Sequence, residues 1–565
     1  MPRSQQRYRP VVQIDPVDGV APKMEKRELR AAAALMRATS QERANRPRSA
    51  QSACSADSGQ VKPRTQRIRS VSTNDSDHVT STPAVKHSKT EPKPKCDPTP
   101  ESGSAPIAQS DSHSVLFMTN HVRPYCLIDP SPPPPYPSEY TDYWDSLHVR
   151  MPCSSQSLYP RTEGQNGELV SRWRLIQDTL GAAHTWTTPI DIERAILAYN
   201  SRYANQWRFK SLHTYINRLD DNERDYLFTK LMPRMAALAL KLPEIVTQSI
   251  PFLRQGHPHS VSMTQQQLAC ILCNAFFCTF PSRNSNMKMW KGSSSVLPRR
   301  INFNTLFDPA GKTIEKLVAL FHYFRQVTEN EPIGVVTFER RCLTRMPVWL
   351  DSNEIVGAQP VEVLCDGKIE DEGCGMLQMD FANKFIGGGV LGHGCVQEEI
   401  LFVICPELIA AALFTECMAD NECVVITGAE RYSAYSGYGS TFKWNGGFND
   451  GTPFDECGRR KRSILAVDAL SFGGNPSKQY NNQMIKRELN KLFVGFNNPH
   501  GPRRVATGNW GCGAFRGDKH LKYVIQLLAA AHTQRPITYF TFGDTQLKSD
   551  CDSLNTLLQR VKPTV

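Results

Sequence analysis

No apolar run in this 565-residue chain approaches the roughly 20 residues that a membrane-spanning helix needs. The opening, MPRSQQRYRP, has no apolar segment of the kind that makes a secretory leader. The 17 cysteines do not fall into a framework of regular spacings, so they read as reduced intracellular thiols rather than as disulfide staples. CILCNAFFC places Cys270 and Cys273 at a zinc-like interval, but no second pair follows, and apolar neighbours make buried thiols on a helix the better reading. The phosphate-loop pattern G-x-x-x-x-G-K-[ST] is missing from the glycine-rich stretches. So is a clean G-x-G-x-x-G followed by an acid about 20 residues on. An ordinary P-loop nucleotide hydrolase is therefore excluded.

The charge that is present is unevenly spread. Residues 1–112 hold 19 Lys and Arg against 12 Asp and Glu, so this arm carries +7 of the chain's +11. It is rich in Ser, Thr and Pro and poor in aromatics, a composition that buries too little apolar surface to offset the entropy of ordering. KMEKRELRAAAALMRA could form a short helix within it, and VKPRTQRIRS could serve as a nuclear import signal. A basic arm of this kind can meet nucleic acid, another polyanion or an import receptor. SPPPPYPSEYTDYWD then forms a Pro-rich entry into the folded region.

From about 165 to 330 the apolar spacing is helical. SRWRLIQDTL, DIERAILAYNSRYANQW, NERDYLFTKLMPRMAALALKL and MTQQQLACILCNAFFC all repeat at three and four residues, with almost no strand-like alternation. A helical accessory domain over 113–332 is expected. From 333 to 565 the texture changes. GVVTFER, VEVLCDG, CVVITGAE, SILAVDAL and ITYFTFGD are short β-branched runs ending in Gly, Asp or Glu. Helices are expected at 406–419, NQMIKRELNKLF and DKHLKYVIQLLAAAHTQ. Strands alternating with helices imply an α/β domain with a largely buried sheet, whose ligand would sit at the carboxyl ends of the strands.

The chemistry-bearing residues cluster in that half. Glycine loops at 387–389 and 511–513 could bring backbone N–H groups to two phosphates. Tyr438, Phe515, Phe540 and Phe542 could stack on a base or ribose, although Phe540 serves equally well as strand core. Asp380, Glu398 and Glu399 suit sugar hydroxyls and acid–base work. Together they suggest a nucleoside diphosphate-sugar ligand and cleavage at a sugar carbon. Adjacent glutamates diverge by about 100° on a helix, so Glu398 and Glu399 are not expected to form a standard nucleophile and acid pair.

GGG followed by QEE resembles the signature of the poly(ADP-ribose) glycohydrolase family. The resemblance extends through SPPPPYP, WDSLHVRMPCS, NAFFCTFPSRN, FHYFRQVTE, MLQMDFANKFIGGGV, NECVVITGAERYS, MIKRELNKLFVGF, ATGNWGCGAF and YFTFGD, from about 113 to 550. It implies a macrodomain-like fold, a mixed sheet flanked by helices, preceded by a helical accessory domain and the disordered arm. It also implies that Glu399 is the acid at a ribose–ribose bond, with Glu398 and Asn383 holding ribose hydroxyls and Asp380 orienting them. Ile369, Glu370 and Gln397 match positions around an adenine. Gly387, Gly388 and Gly389, with Gly513, Ala514 and Phe515, match a diphosphate cradle. Tyr438 and Phe542 match aromatics packing on the ligand, and Asn509 lies in the same loop system. No metal and no cofactor is implied. Two departures are GHG after the GGG and Arg516 where a glycine is expected.

The implied activity is hydrolysis of poly(ADP-ribose) on modified proteins, mainly from the chain end, releasing ADP-ribose. A reader that holds ADP-ribose without turnover is the alternative, and the intact QEE argues against it. A third reading makes the basic arm a nucleic-acid contact. Nuclear or cytoplasmic residence, or both, is expected.

Overall fold

The computed structural model describes residues 112–119, 131–160, 169–281, 296–298, 300–308, 314–497, 501 and 504–565. The expectations for residues 1–111, including the short helix and the basic run, lie outside the described residues. Among the described residues there are thirteen strands, two of which, Leu158–Pro160 and Leu169–Ser171, form a small antiparallel pair of their own. Nine form one sheet: β1 (His113–Val115), β2 (His259–Thr264), β3 (Val335–Cys342), β4 (Val361–Leu364), β5 (Leu377–Asp380), β6 (Glu422–Gly428), β9 (Arg460–Ala466), β10 (Val505–Gly508) and β11 (Ile537–Phe540). The strands β7 (Ser433–Ser436) and β8 (Lys443–Gly447) form a separate antiparallel hairpin. The order across the sheet is β1-β2-β3-β6-β9-β5-β10-β11-β4. Strands β9, β5, β10, β11 and β4 run parallel, so their carboxyl ends share one edge. Strands β2, β3, β6 and β9 pair antiparallel.

Helices cover both faces. The first half supplies α1 (Arg172–Gly181), α2 (Pro189–Ala198), α3 (Lys210–Arg218), α4 (Met232–Leu240), α5 (Gln265–Phe276) and α6 (Ile314–Glu329). The second half supplies α7 (Gln397–Ile404), α8 (Asn482–Phe496), α9 (Lys519–His532) and α10 (Thr545–Val561). Alternation along each strand decides which helices it meets. In β6, Val424 and Ile426 join the core shared with α4, α5, α6 and α7. Cys423 and Val425 join the core under α8 and α9. Among the described residues no helix is long and apolar enough to cross a membrane.

The five β-branched runs read from the sequence all become strands. The division expected at 332 nevertheless runs through the sheet, because β2 from the helical half pairs with β3, and β1 pairs in turn with β2. Strand β2 was hidden because it abuts α5 directly. Thr264 ends the strand and caps the helix, accepting from Gln267 N at 3.1 Å while Gln267 Oε1 accepts from Thr264 N at 2.9 Å. Helix α5 is buried on nearly every side, and Cys270, Cys273 and Cys278 are wholly buried thiols. The long helix expected through 222–242 is broken by a π turn at Leu227–Leu231, just before Pro233, whose ring nitrogen cannot donate. The helix expected over 406–419 is a short 3-10 turn at Pro406–Ala410 followed by one α-turn at Ala411–Phe414.

Candidate active site

Strand β5 delivers the first carboxylate. Leu377 and Met379 point into the core under α8 and α9, so the alternation turns Asp380 to the other face, where α7 begins. The chain leaves β5 at Phe381 and is held there by Gln397, the first residue of α7. Its Oε1 accepts from Phe381 N at 2.8 Å and its Nε2 donates to Met379 O at 3.1 Å. Gln397, expected near an adenine, thus docks the helix start on the strand end.

Glu398 and Glu399 follow in the first turn of α7, where the helix dipole favours negative charge. Both are buried, at 3% and 6% exposure, and Asp380 at 0%. Glu398 accepts from Asn383 N at 2.8 Å and from Gly387 N at 2.6 Å. Glu399 accepts from Gly389 N at 2.7 Å and from Val396 N at 2.9 Å. Neighbouring side chains on a helix diverge, yet the glycine loop curls around the helix start and meets both. A Cβ on Gly388 would sit 2.5 Å from Glu398 Oε2 and 2.5 Å from Glu399 Oε1, at a φ of +50°. A Cβ on Gly394 would sit 2.5 Å from Glu399 Oε1. The three glycines and the two glutamates are therefore one device: the loop can close on the carboxylates only where side chains are absent.

That device changes the expected use of the loop. Gly387 N and Gly389 N are taken by the glutamates, and Gly388 N donates to Phe385 O at 3.2 Å. All three amides expected at a phosphate are engaged within the protein. The 511–517 loop is different. It is closed by Gly517 N to Gly511 O at 2.9 Å and Arg516 N to Gly513 O at 3.0 Å. The N–H groups of Gly513, Ala514 and Phe515 have no protein acceptor among the described residues, and Gly513 and Ala514 are exposed. Arg516, at a φ of +57°, occupies the left-handed conformation that favours the expected glycine.

Electrostatics follow from the packing. Burial, reinforced by the nearby Glu399 charge, pushes the Asp380 carboxyl well above its ordinary range. Neither of its oxygens has a hydrogen-bond partner among the described residues. Burial and the charges of Asp380 and Glu399 push Glu398 up as well, opposed by the amides of Asn383 and Gly387. Asp380 and Glu398, desolvated beside one another, therefore both lean toward their protonated forms. Such a cluster can give a proton to a leaving oxygen and take one from water.

The remaining residues surround this centre. Ile369 is buried with Ala506 and Phe540, so Phe540 is strand core and does not stack on a ligand. Glu370 accepts a hydrogen bond from Tyr435 OH, a partner the sequence did not announce. Asn383 Oδ1 accepts from Phe385 N at 3.0 Å, and Asn509 Oδ1 accepts from Tyr539 OH at 2.9 Å. Tyr438 and Phe542 are 54% and 42% exposed, so their rings are open to a ligand. Phe542 lies where a Cβ on Gly508 would be, 2.6 Å from its ring, which is why β10 ends in glycine. Gly439 N donates to Cys395 O at 2.9 Å, tying the Tyr438 turn to the loop before α7. Asp380, Asn509 and Phe542 stand at or just beyond the ends of parallel strands.

Residues 346–549 match the macro-domain fold of the poly(ADP-ribose) glycohydrolase family, and residues 219–340 match that family's helical domain. Poly(ADP-ribose) glycohydrolase 1 of Arabidopsis thaliana is 31% identical over 420 residues, which cover 59% of this chain and 75% of that one. The chain belongs to the poly(ADP-ribose) glycohydrolase family. It is a glycosidase acting on poly(ADP-ribose). Poly(ADP-ribose) glycohydrolase 1 of Caenorhabditis elegans is 33% identical over 349 residues, covering 58% of this chain and 41% of the other. A solved Thermomonospora curvata poly(ADP-ribose) glycohydrolase bound to the inhibitor ADP-HPD overlaps 35% of this chain and 80% of its own. Its identity is 16% and its TM-score 0.24, too loose to align individual residues. The helical-domain match of the glycohydrolase family takes in β2, so the family's own division also crosses the sheet.

Proposed function

We propose that this glycohydrolase cleaves ribose–ribose O-glycosidic bonds mainly from the chain end, with Glu399 as the proton donor. The observation that carries this reading is the pair of buried glutamates held by the backbone amides of one glycine loop. In the reaction the bond between the anomeric carbon and the departing ribose oxygen breaks. That oxygen takes the proton of Glu399. A water oxygen then bonds to the anomeric carbon, and its proton goes to the Glu399 carboxylate. Glu398 and Asn383 hold ribose hydroxyls, and Asp380 orients them. Tyr438 and Phe542 pack on the nucleotide, Ile369 and Glu370 flank the adenine, and the amides of Gly513, Ala514 and Phe515 meet the diphosphate. A site that encloses one terminal unit releases free ADP-ribose. The unit joined to protein has an amino-acid side chain as its leaving group and should stay attached. Residence in the nucleus, the cytoplasm or both belongs to the same reading, on the charge of the arm.

The test is digestion of a labelled, automodified acceptor protein to completion. Free ADP-ribose should be the main product, with one unit per site left on the protein. Release of nearly all label would point to a mono-ADP-ribosyl hydrolase, and a ladder of free oligomers to internal cleavage.

A further inference from the structure

Helix α6 of the helical half reaches the loop behind the acid at Lys316. Lys316 is wholly buried. Its ammonium donates to Val390 O at 2.9 Å, to Gly392 O at 2.7 Å and to Gly394 O, with Gly389 O at 3.5 Å. All three ammonium protons are therefore taken up by one short loop. Packing alone does not explain this choice, because a methionine of similar length would fill the volume without desolvating a charge. The same loop turns its amides the other way, Gly389 N and Val396 N to Glu399. Carbonyls face the lysine while amides face the acid, so the loop is held between them.

We infer that Lys316 is a positioning residue for the glycosidase reaction: it fixes the loop over 389–396, and through that loop the Glu399 carboxyl, while placing a positive charge behind the acid. Two further contacts show that α6 sets this edge of the site. Glu315, the preceding residue, accepts from Trp444 N at 3.0 Å, and the His322 and Trp444 rings lie 5.4 Å apart. Both contacts hold the hairpin that carries Tyr438 between its strands. The titratable groups facing Lys316 are Cys395 from the loop and Glu399 from α7. Those facing Glu399 are Asp380 from β5, Glu398 beside it, Cys395, Tyr438 from the hairpin and Lys316 itself. Burial pushes the ammonium down to about 8, opposed by Cys395 and Glu399, so the charge is present at neutral pH.

The inference rests on Glu399 as the acid and is tested on the full chain with Lys316→Met. Turnover of poly(ADP-ribose) should fall of order 10²-fold, the effect of a small misplacement of a catalytic group, with KM within about 3-fold. The pH midpoints of kcat should move up by about 1 unit, because a cation near a carboxyl cluster favours its ionised form. A merely structural brace would lower the melting temperature and the fraction of active enzyme but leave the midpoints in place, and that result overturns the inference. If Lys316→Met does not fold, Lys316→Gln keeps two N–H donors without the charge. It should show the same upward shift with a smaller loss of turnover, and unmoved midpoints in that variant overturn the inference equally. Glu399→Gln separates the two levels. If it is inactive while Lys316→Met has normal kcat and midpoints, only the role of Lys316 fails. If Glu399→Gln turns over normally, the assignment of the acid fails instead.

Discussion

The two glycine loops look alike in sequence and do opposite things. The loop at 387–394 turns its amides inward to two buried glutamates and its carbonyls to a buried lysine. Its glycines are needed because a Cβ at Gly388 or Gly394 would strike a carboxylate. The loop at 511–517 turns unpaired amides outward, and a Cβ on Gly513 would meet nothing within 4 Å. At Gly388 and Gly394 glycine thus serves close packing of protein on carboxylates; in the second loop Gly511 and Gly517 are closely packed as well, and Gly513 alone faces open space.

This contrast can be broken at either end. The largest effect is expected from Glu399→Gln, which preserves shape and removes the titrating proton. Its kcat should drop 10²–10⁴-fold, as is typical for a general acid–base group, while ADP-ribose still binds by calorimetry. Next is Gly388→Ala, which forces a methyl between the two carboxylates at a φ of +50°. Turnover should fall on the order of 10²-fold, with a lower melting temperature, because the acid is displaced. Phe542→Ala acts on the open side. Stacking on a base contributes roughly 1–3 kcal/mol, so ADP-ribose affinity should weaken about 10-fold or more, with thermal stability unchanged. Gly513→Ala is the smallest, with affinity and melting temperature both within about 2-fold and 1 °C, since the new methyl points into open space. Equal sensitivity of Gly388 and Gly513 to alanine would erase the distinction between the loops.

The glutamates were legible because GGG and QEE stand in one short stretch, and the strands because Val and Ile cluster in short runs. Strand β5 was not, since Leu-Gln-Met-Asp has no β-branched residue and is buried along its whole length. Strand β2 was masked by the helix cap that follows it. Lys316 gave no signal at all: a lysine in FHYFRQVTE's helix reads as part of a solvated face until its four carbonyl neighbours are seen. The inward use of the 387–389 amides was equally hidden, because sequence shows where glycine is and not which way its N–H points.

The strand order carries a consequence for how the molecule is made. Strand β5, which ends in Asp380, is flanked only by β9 and β10, and β4 pairs only with β11. Each must wait on the ribosome for a partner made later, β5 for β9 (Arg460–Ala466) and β4 for β11 (Ile537–Phe540). Strand β4 thus stays unpaired until β11 is made, and pairings between such distant segments form slowly. Assembly of the catalytic edge should be the last event of folding, and a chaperone that shields β4 and β5 until β11 emerges would set the yield of active enzyme.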